Sequence, residues 1–371
     1  MNQKSKKARV IAFYLPQFHP IPENDENWGK GFTEWTNVAQ AKPLFKNHDQ
    51  PRIPADLGFY DLRLPEVREA QAQMAQEHGI EGFMYWHYWF GNGKMLLEKP
   101  FQEVLTSGKP DFPFCLGWAN HSWSTKTWVK DKTMKKDKMI AEQLYLGEED
   151  YRKHFDYVLP AFKDERYITV DGCPIFVVYD PLAIPDIEIF IKTWRVMALK
   201  IGLKGIHFIG YKYGRKASKE KFTQMGFDAV ISLNMWEAEC ASIGNKWLKM
   251  LRSQISFKLG GALLQKYKYE DIINNLYSDE DKQENVYPTI LPGYDRTARS
   301  ARQAIIYYGS TPKLFGKHLD TAVKLVENKK DEHKIVFLKS WNEWGEANYM
   351  EPDIKHGLGY LNELKNRIFG E

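Results

Sequence analysis

Cysteine is scarce in this chain. Only three occur in 371 residues, Cys115, Cys173 and Cys240, and none stands at CxxC spacing. That excludes a zinc ribbon and a disulfide framework. Cys115 and Cys173 lie in or beside apolar runs and read as buried thiols of a reducing compartment. No apolar run approaches the roughly 18–20 residues that a membrane span needs. The N-terminal MNQKSKKARV has basic residues but lacks the apolar core of a secretory signal, so the expected location is cytoplasmic. No amphipathic membrane anchor is evident either. A surplus of one charge is also missing: 52 basic side chains face 48 acidic ones, leaving +4. The basic stripe of a nucleic-acid binder is not there, and no nucleic-acid partner is expected. The one basic cluster, KDKTMKKDK at 130–138, alternates Lys with Asp, which suits a solvated loop better than a polyanion site.

Several catalytic signatures are absent as well. There is no HExxH, no GxSxG, no GxxxxGK[ST], and no GxGxxG after the first strand pattern. The ten histidines are scattered without metal-ligand spacing. No metal or cofactor is expected. A formal DxD, Asp279 and Asp281 in SDEDK, is the pattern many nucleotide-sugar transferases use to hold a metal. Here it falls in a hydrophilic turn after a predicted helix, which favours a surface role.

What the chain has in quantity is rings. Aromatics make up 14% of residues, and many stand where apolar runs end. Eight such runs read as strands: RVIAFYL (9–15), GIEGFMYW (79–86), FPFCLGW (112–118), PIFVVY (174–179), GIHFIGY (205–211), DAVISL (228–233), VYPTIL (286–291) and KIVFLK (334–339). Most are continuously apolar, as parallel strands covered on both faces must be. Helical patterns at 64–78, 147–163, 185–202 and 315–330 lie between them. Alternating strands and helices over this length predict an α/β fold, a (β/α)8 TIM barrel with long βα loops at its C-terminal face. The runner-up is a doubly wound open sheet. The connections 16–63, 119–146 and 237–285 are too long for simple turns. The last carries an amphipathic stretch expected to form an extra helical insertion within a single catalytic domain, 1–371.

In a barrel, function gathers at the C-terminal strand ends. Those ends supply Tyr14, His87, Trp118, Asn120, His121, Tyr179, Tyr211, Trp236, Asp295 and Arg296 as candidate contacts. Arg296 suits an acidic sugar, a catalytic carboxylate or a structural salt bridge. Flat rings with amide, imidazole and carboxylate groups suit carbohydrate, whose apolar ring face stacks while its hydroxyls take directed partners. Trp118, Trp123 and Trp128 recur every five residues, as stacking platforms can, although packing of the loop explains them equally well. After the eighth run comes SWNEWGEANYMEPD (340–353). Glycosidic cleavage needs a proton donor and a second carboxylate near the anomeric carbon. Glu343 and Glu346, at i and i+3, share a face only if NEWGE bends into a helical turn. Crowded there beside Trp341, Asn342 and Trp344, one of them acquires a raised pKa. They are the candidate catalytic pair.

Four segments, FYLPQFHPIPENDENWGKGFTEW (13–35), CLGWANHSWSTKTW (115–128), YPTILPGYDRTARS (287–300) and SWNEWGEANYMEPD, resemble the WbsX family over nearly the whole chain. These bacterial proteins are usually described as glycosyltransferases of O-antigen and capsule gene clusters, with a glycoside hydrolase family 99-like domain. Family 99 comprises endo-acting α-mannosidases and α-mannanases on a (β/α)8 barrel. Asn342, Glu343, Trp344, Glu346, Glu351 and Pro352 match its catalytic segment. The resemblance implies retention through a 1,2-anhydro sugar, with Glu343 deprotonating the 2-hydroxyl. Glu346 then protonates the leaving oxygen and later activates water. Gly345 departs from the His typical of family 99, and Ala347–Asn348 from its Gly-Thr, so mannose specificity does not transfer. α-Manno and α-rhamno sugars both have the required trans 2-hydroxyl.

The expected function is therefore a retaining glycoside hydrolase or transglycosylase acting on α-linked units of a bacterial surface oligo- or polysaccharide. The alternatives are a nucleotide-sugar-dependent glycosyltransferase and a noncatalytic carbohydrate-binding barrel. Nothing in the sequence specifies an oligomeric state.

Overall fold

A computed structural model describes residues 6–125, 138–211, 218–258, 261 and 263–370. Trp128 and most of the 130–138 basic cluster lie outside the described residues. Eight parallel strands form the barrel: β1 (Arg9–Tyr14), β2 (Ile80–His87), β3 (Phe114–Trp118), β4 (Cys173–Val178), β5 (His207–Tyr211), β6 (Ala229–Ser232), β7 (Val286–Ile290) and β8 (Ile335–Leu338). Each pairs with the next, and the ring closes where Arg9 to Ala12 of β1 face Ile335 to Leu338 of β8. The (β/α)8 expectation holds, each strand beginning and ending within two residues of its apolar run. Their continuous apolarity has a direct cause, because one face fills the barrel and the other meets a helix. Inside, Phe13 packs against Trp86, Tyr211 and Phe337 at centroid separations of 5.3, 5.9 and 5.6 Å.

The connections carry α1 (Pro22–Trp28), α2 (Glu34–Gln40), α3 (Pro65–Glu77), α4 (Lys99–Ser107), α5 (Glu148–Phe162), α6 (Ile187–Lys200) and α7 (Lys219–Gln224). After β6 come α8 (Met235–Ile243), α9 (Lys246–Lys258) and α10 (Tyr269–Asn274), occupying the region expected as a helical insertion. Then follow α11 (Thr297–Ser300), α12 (Pro312–Val326) and α13 (Gly359–Phe369). The crossover helices follow the amphipathic rule. In α6, Ile187, Phe190, Ile191, Trp194 and Ala198 are buried, an i, i+3, i+4, i+7 stripe. Trp194 lies 4.6 Å from Phe176 of β4, and truncating such a ring costs about 3–5 kcal/mol. Gly202, at φ 86°, takes the left-handed conformation that ends the helix.

The insertion has its own small core. Residues 265–268 pair in parallel with 305–308, which pair antiparallel with 294–295. Ala238, Tyr267, Tyr269, Ile272, Tyr294 and Tyr307 pack there together. Cys115 is buried as expected, whereas Cys173 is only half-buried. Among the described residues, no helix is long and apolar enough to cross a membrane.

Candidate active site

The loop after β8 is pinned before it reaches the cavity. Asn342 accepts from the Leu15 amide at 2.8 Å and donates to the Leu15 carbonyl at 3.0 Å, clamping the loop to the exit of β1. Asn342–Glu343 then pairs antiparallel with Asn348–Tyr349. Between these arms Trp344–Glu346 forms one 3₁₀ turn, and Ala347, at φ 45°, lets the chain return. Because side chains at i and i+3 eclipse in a 3₁₀ turn, Glu343 and Glu346 leave on one side. The turn rests on Trp344, which stacks on Tyr349 at 3.6 Å and donates to Glu351 at 2.6 Å. Glu351 also accepts from Tyr60 at 2.9 Å and Gln71 at 2.6 Å, and Tyr14 donates to Gln71 at 2.7 Å. Burial outweighs these donors and pushes the Glu351 carboxyl up to about 7.

One guanidinium gathers the acids. Arg299, on α11, reaches Glu343 at 2.6 Å, Glu34 at 2.6 Å and Glu346 at 2.8 Å. Arg296 lies 3.3 Å and Lys339 3.4 Å from Glu346. All three carboxyls are nearly buried, at 1% exposure for Glu34, 8% for Glu343 and 9% for Glu346. Their ionisation nevertheless diverges. Burial raises Glu343 well above the usual carboxyl range; Arg299 opposes this, while Glu34 and Glu346 reinforce it. Burial also works on Glu346, but Lys339, Arg299 and Arg296 together outweigh it and bring it down to about 2. Glu34 is raised above the usual carboxyl range by burial, which Arg299 opposes and Glu346 reinforces. Within one cluster, two carboxyls are thus raised and one is lowered.

Gly345 makes room for this arrangement. A Cβ there would stand 2.4 Å from Glu34 Oε2 and 2.9 Å from Arg299 Nε. The absence of a side chain between Trp344 and Glu346 is therefore matched to the Glu34–Arg299 pair.

The cavity at the barrel mouth has a volume of about 210 Å³. Phe13, Trp86, Tyr179 and Tyr211 give it aromatic walls, Trp28 and Trp123 its outer rim, and Arg299, Lys339, Glu343 and Glu346 its charge. Tyr179 and Tyr211 are stacked at 5.4 Å, and His121 lies 5.2 Å from Tyr179, its pKa lowered by burial. Rings on several sides and ionisable groups on one suit a sugar.

Of the residues expected at the mouth, His121, Tyr179, Tyr211, Glu343 and Glu346 line the cavity, and Arg296 touches Glu346. The others sit elsewhere. Tyr14 points outward to Gln71, and His87 meets His154 of α5 at 2.7 Å. Trp118 donates to the Trp89 carbonyl at 2.9 Å and packs on Phe190, so it shares no platform with Trp123. Asn120 bridges to Asp180 through its backbone amide at 2.8 Å and carbonyl at 2.7 Å. Trp236 lies under Lys249 at 3.0 Å. Asp295 accepts from His48 at 2.7 Å and Gln50 at 2.8 Å, tying the 41–50 segment to the barrel. Trp341 packs against Phe83 at 5.3 Å, and Asn342 is the backbone clamp already described. Sequence reasoning did not single out Glu34, Arg299 or Lys339. Glu34 and Arg299 stand in GFTEW and DRTARS, polar residues among rings and small residues, but 265 positions separate them.

Solved structures share this architecture. A glycoside hydrolase-like protein superposes with a TM-score of 0.62 at 16% identity, covering 99% of this chain and 95% of that one. The GH99 endo-alpha-mannosidase from Bacteroides thetaiotaomicron, in complex with bis-tris-propane, gives 0.58 at 13% identity over 98% and 97%. At these identities the likeness is one of fold. An uncharacterized protein of Xanthomonas campestris pv. campestris, WxcX, is 32% identical over 362 residues, 97% of this chain. The chain spans about half the length of that relative, 50%. Residues 10–364 match the family described as Glycosyltransferase WbsX, and the chain belongs to that family.

Proposed function

We propose that this protein is a retaining glycoside hydrolase or transglycosylase acting on α-linked mannose- or rhamnose-type units of a bacterial surface polysaccharide, through a 1,2-anhydro sugar. The observation that carries the reading is the meeting of Glu343 and Glu346 on one guanidinium, with opposite ionisation, at the wall of a ring-lined cavity. Glycosidic cleavage needs one carboxyl with a proton and one without at the same sugar. The carboxylate takes the 2-hydroxyl proton as O2 attacks C1. The bond from C1 to the leaving oxygen breaks, and that oxygen receives the proton of the carboxylic acid. Water, or a sugar hydroxyl, next attacks C1 and loses its proton to the group just ionised, while O2 recovers its own. Two inversions at C1 retain configuration, and the acceptor decides between hydrolysis and transfer.

Two assignments of the pair are distinguishable. The resemblance puts the base at Glu343 and the acid at Glu346, whereas the ionisation of the free site favours the reverse. An aryl glycoside with an acidic phenol needs no donated proton, so it spares the variant that lacks the acid. Turnover kept by Glu343→Gln on that substrate gives Glu343 the acid role; turnover kept by Glu346→Gln gives it to Glu346.

The family description supports one further reading, transfer from a nucleotide sugar. That chemistry needs a diphosphate site. Arg296, Arg299 and Lys339 each already engage a carboxylate. The DxD is occupied too, since Asp281 caps Ser278 and Asp279 pairs with Lys282 at 2.7 Å. The discriminating experiment incubates the protein with α-mannan, rhamnan and surface polysaccharide, without and with nucleotide sugars. New reducing ends without any nucleotide, with the product first released as the α-anomer by NMR, support the proposal. Turnover only with a nucleotide sugar establishes the transferase, and glycan binding without turnover in either condition establishes a noncatalytic barrel.

A further inference from the structure

Helix α9 is packed with its polar side inward. At about 100° per residue, Trp247, Leu251, Ile255 and Leu248 fall within a single sector of about 100°. These four are 75%, 53%, 38% and 44% exposed. The opposite side carries Lys249 and Ser256, each 1% exposed. Lys249 enters the insertion to pair with Glu239 and lies over the Trp236 ring at 3.0 Å. Helix α12 shows the ordinary arrangement, with Phe315, Leu319, Ala322 and Val326 buried. A helix that spends its polar face on the protein and presents Trp and Leu to the outside leaves an apolar surface to be covered.

The charge around that stripe selects what covers it. Residues 240–269 contain no Asp or Glu, while Lys246, Lys249, Arg252, Lys258, Lys266 and Lys268 all fall within them. Lys246, Lys258, Lys266 and Lys268 are exposed and Arg252 is half-exposed. Two copies meeting through this face would set like charges against each other. An anionic bilayer instead offers negative headgroups to Lys258 and Arg252, which fall within and beside the sector of the stripe, and acyl boundary to the stripe itself, with Trp247 at the depth where indole rings settle. We infer that α9 is a docking surface for an anionic lipid bilayer. The helix belongs to the insertion that leaves the C-terminal end of β6, and its companion strand 265–268 joins through 305–308 to 294–295, where Tyr294 lines the cavity. Docking through α9 therefore holds the barrel mouth near the membrane surface, within reach of glycans carried on lipid. This goes beyond the reaction proposed above and does not depend on it.

Vesicle co-sedimentation tests the inference, using phosphatidylethanolamine/phosphatidylglycerol vesicles against pure phosphatidylcholine. The expected result is binding to the anionic vesicles that weakens with added salt and falls at least about tenfold in Trp247→Glu/Leu251→Glu. That double variant changes only exposed side chains, so an unchanged melting temperature shows that it folds. Glu343→Gln should bind like wild type, which separates this inference from the catalytic reading. Failure to bind anionic vesicles, or equal binding by the double variant, overturns it. So does concentration-dependent self-association of the wild type that the double variant abolishes, which would make a second copy the occupant.

Discussion

Two clusters of buried charge in this chain follow opposite rules. In the insertion, Lys249 meets Glu239, with side chains 1% and 4% exposed, and Tyr307 donates to Glu239 at 2.7 Å. At the barrel mouth, Arg299 serves Glu34, Glu343 and Glu346 at once, and two of those acids face a cavity. The first cluster is closed off from solvent. In the second, Glu346 has Arg299, Arg296 and Lys339 within 3.4 Å, while the guanidinium beside Glu343 is shared with Glu34, so burial raises one carboxyl and the cations lower the other. Matched charge fixes a helix in place. Mismatched charge beside an opening prepares proton transfer.

Breaking each cluster should separate these roles. The largest effect is expected from Arg299→Met, which leaves three acids without their common partner. Turnover should be lost, together with about 3–5 kcal/mol of stability in urea unfolding. Glu239→Gln takes the carboxylate from Lys249 and should cost a similar ~3–5 kcal/mol, yet the folded protein should cleave glycan at the wild-type rate. Equal losses of turnover in the two variants would erase the distinction between the clusters.

Gly345→Ala sharpens the comparison at smaller cost. Its Cβ would press on Glu34 Oε2, with an expected loss of about 1–3 kcal/mol, and Glu34→Ser in the same chain should recover much of it. A pH-dependent effect concerns Glu351 beneath the turn. Its folded pKa of about 7 lies above the usual 4.5, so the folded state binds the extra proton between those values. Its contribution to stability is full below about 4.5, falls as pH rises, and is gone above about 7. Glu346, brought down to about 2, has the opposite sign, its contribution being lost only as pH falls below the usual 4.5. The difference in urea midpoint between wild type and Glu351→Gln should therefore shift against the wild type as pH rises from 5 to 8.

How much of this was legible in the sequence depends on parity and distance. The strands were readable because burial on both faces demands unbroken apolar runs. That Glu343 and Glu346 reach the cavity was readable because i, i+3 acids among rings follow the last strand. The strand-end contacts were less so, since neighbouring residues face opposite ways. Phe13 and Trp86 point into the cavity while Tyr14 and His87, one position later, point to the helices behind. A sequence gives the strand end but not which parity is inward. Arg299 lay three residues beyond Arg296, and only a short helical turn at Thr297–Ser300 sends it to Glu34. The α9 stripe was hidden for a related reason. Amphipathicity is visible in a sequence, but which side the protein takes is settled by Glu239 waiting for Lys249.

The most direct test of the central claim compares Glu343→Gln and Glu346→Gln with wild type in a reducing-end assay on α-mannan, rhamnan and surface polysaccharide, with no nucleotide sugar present. The account predicts new reducing ends from wild type and at least about a hundredfold less from each variant, with folding intact. Cleavage by both variants at the wild-type rate, or no cleavage of any of these glycans by the wild type, would contradict it.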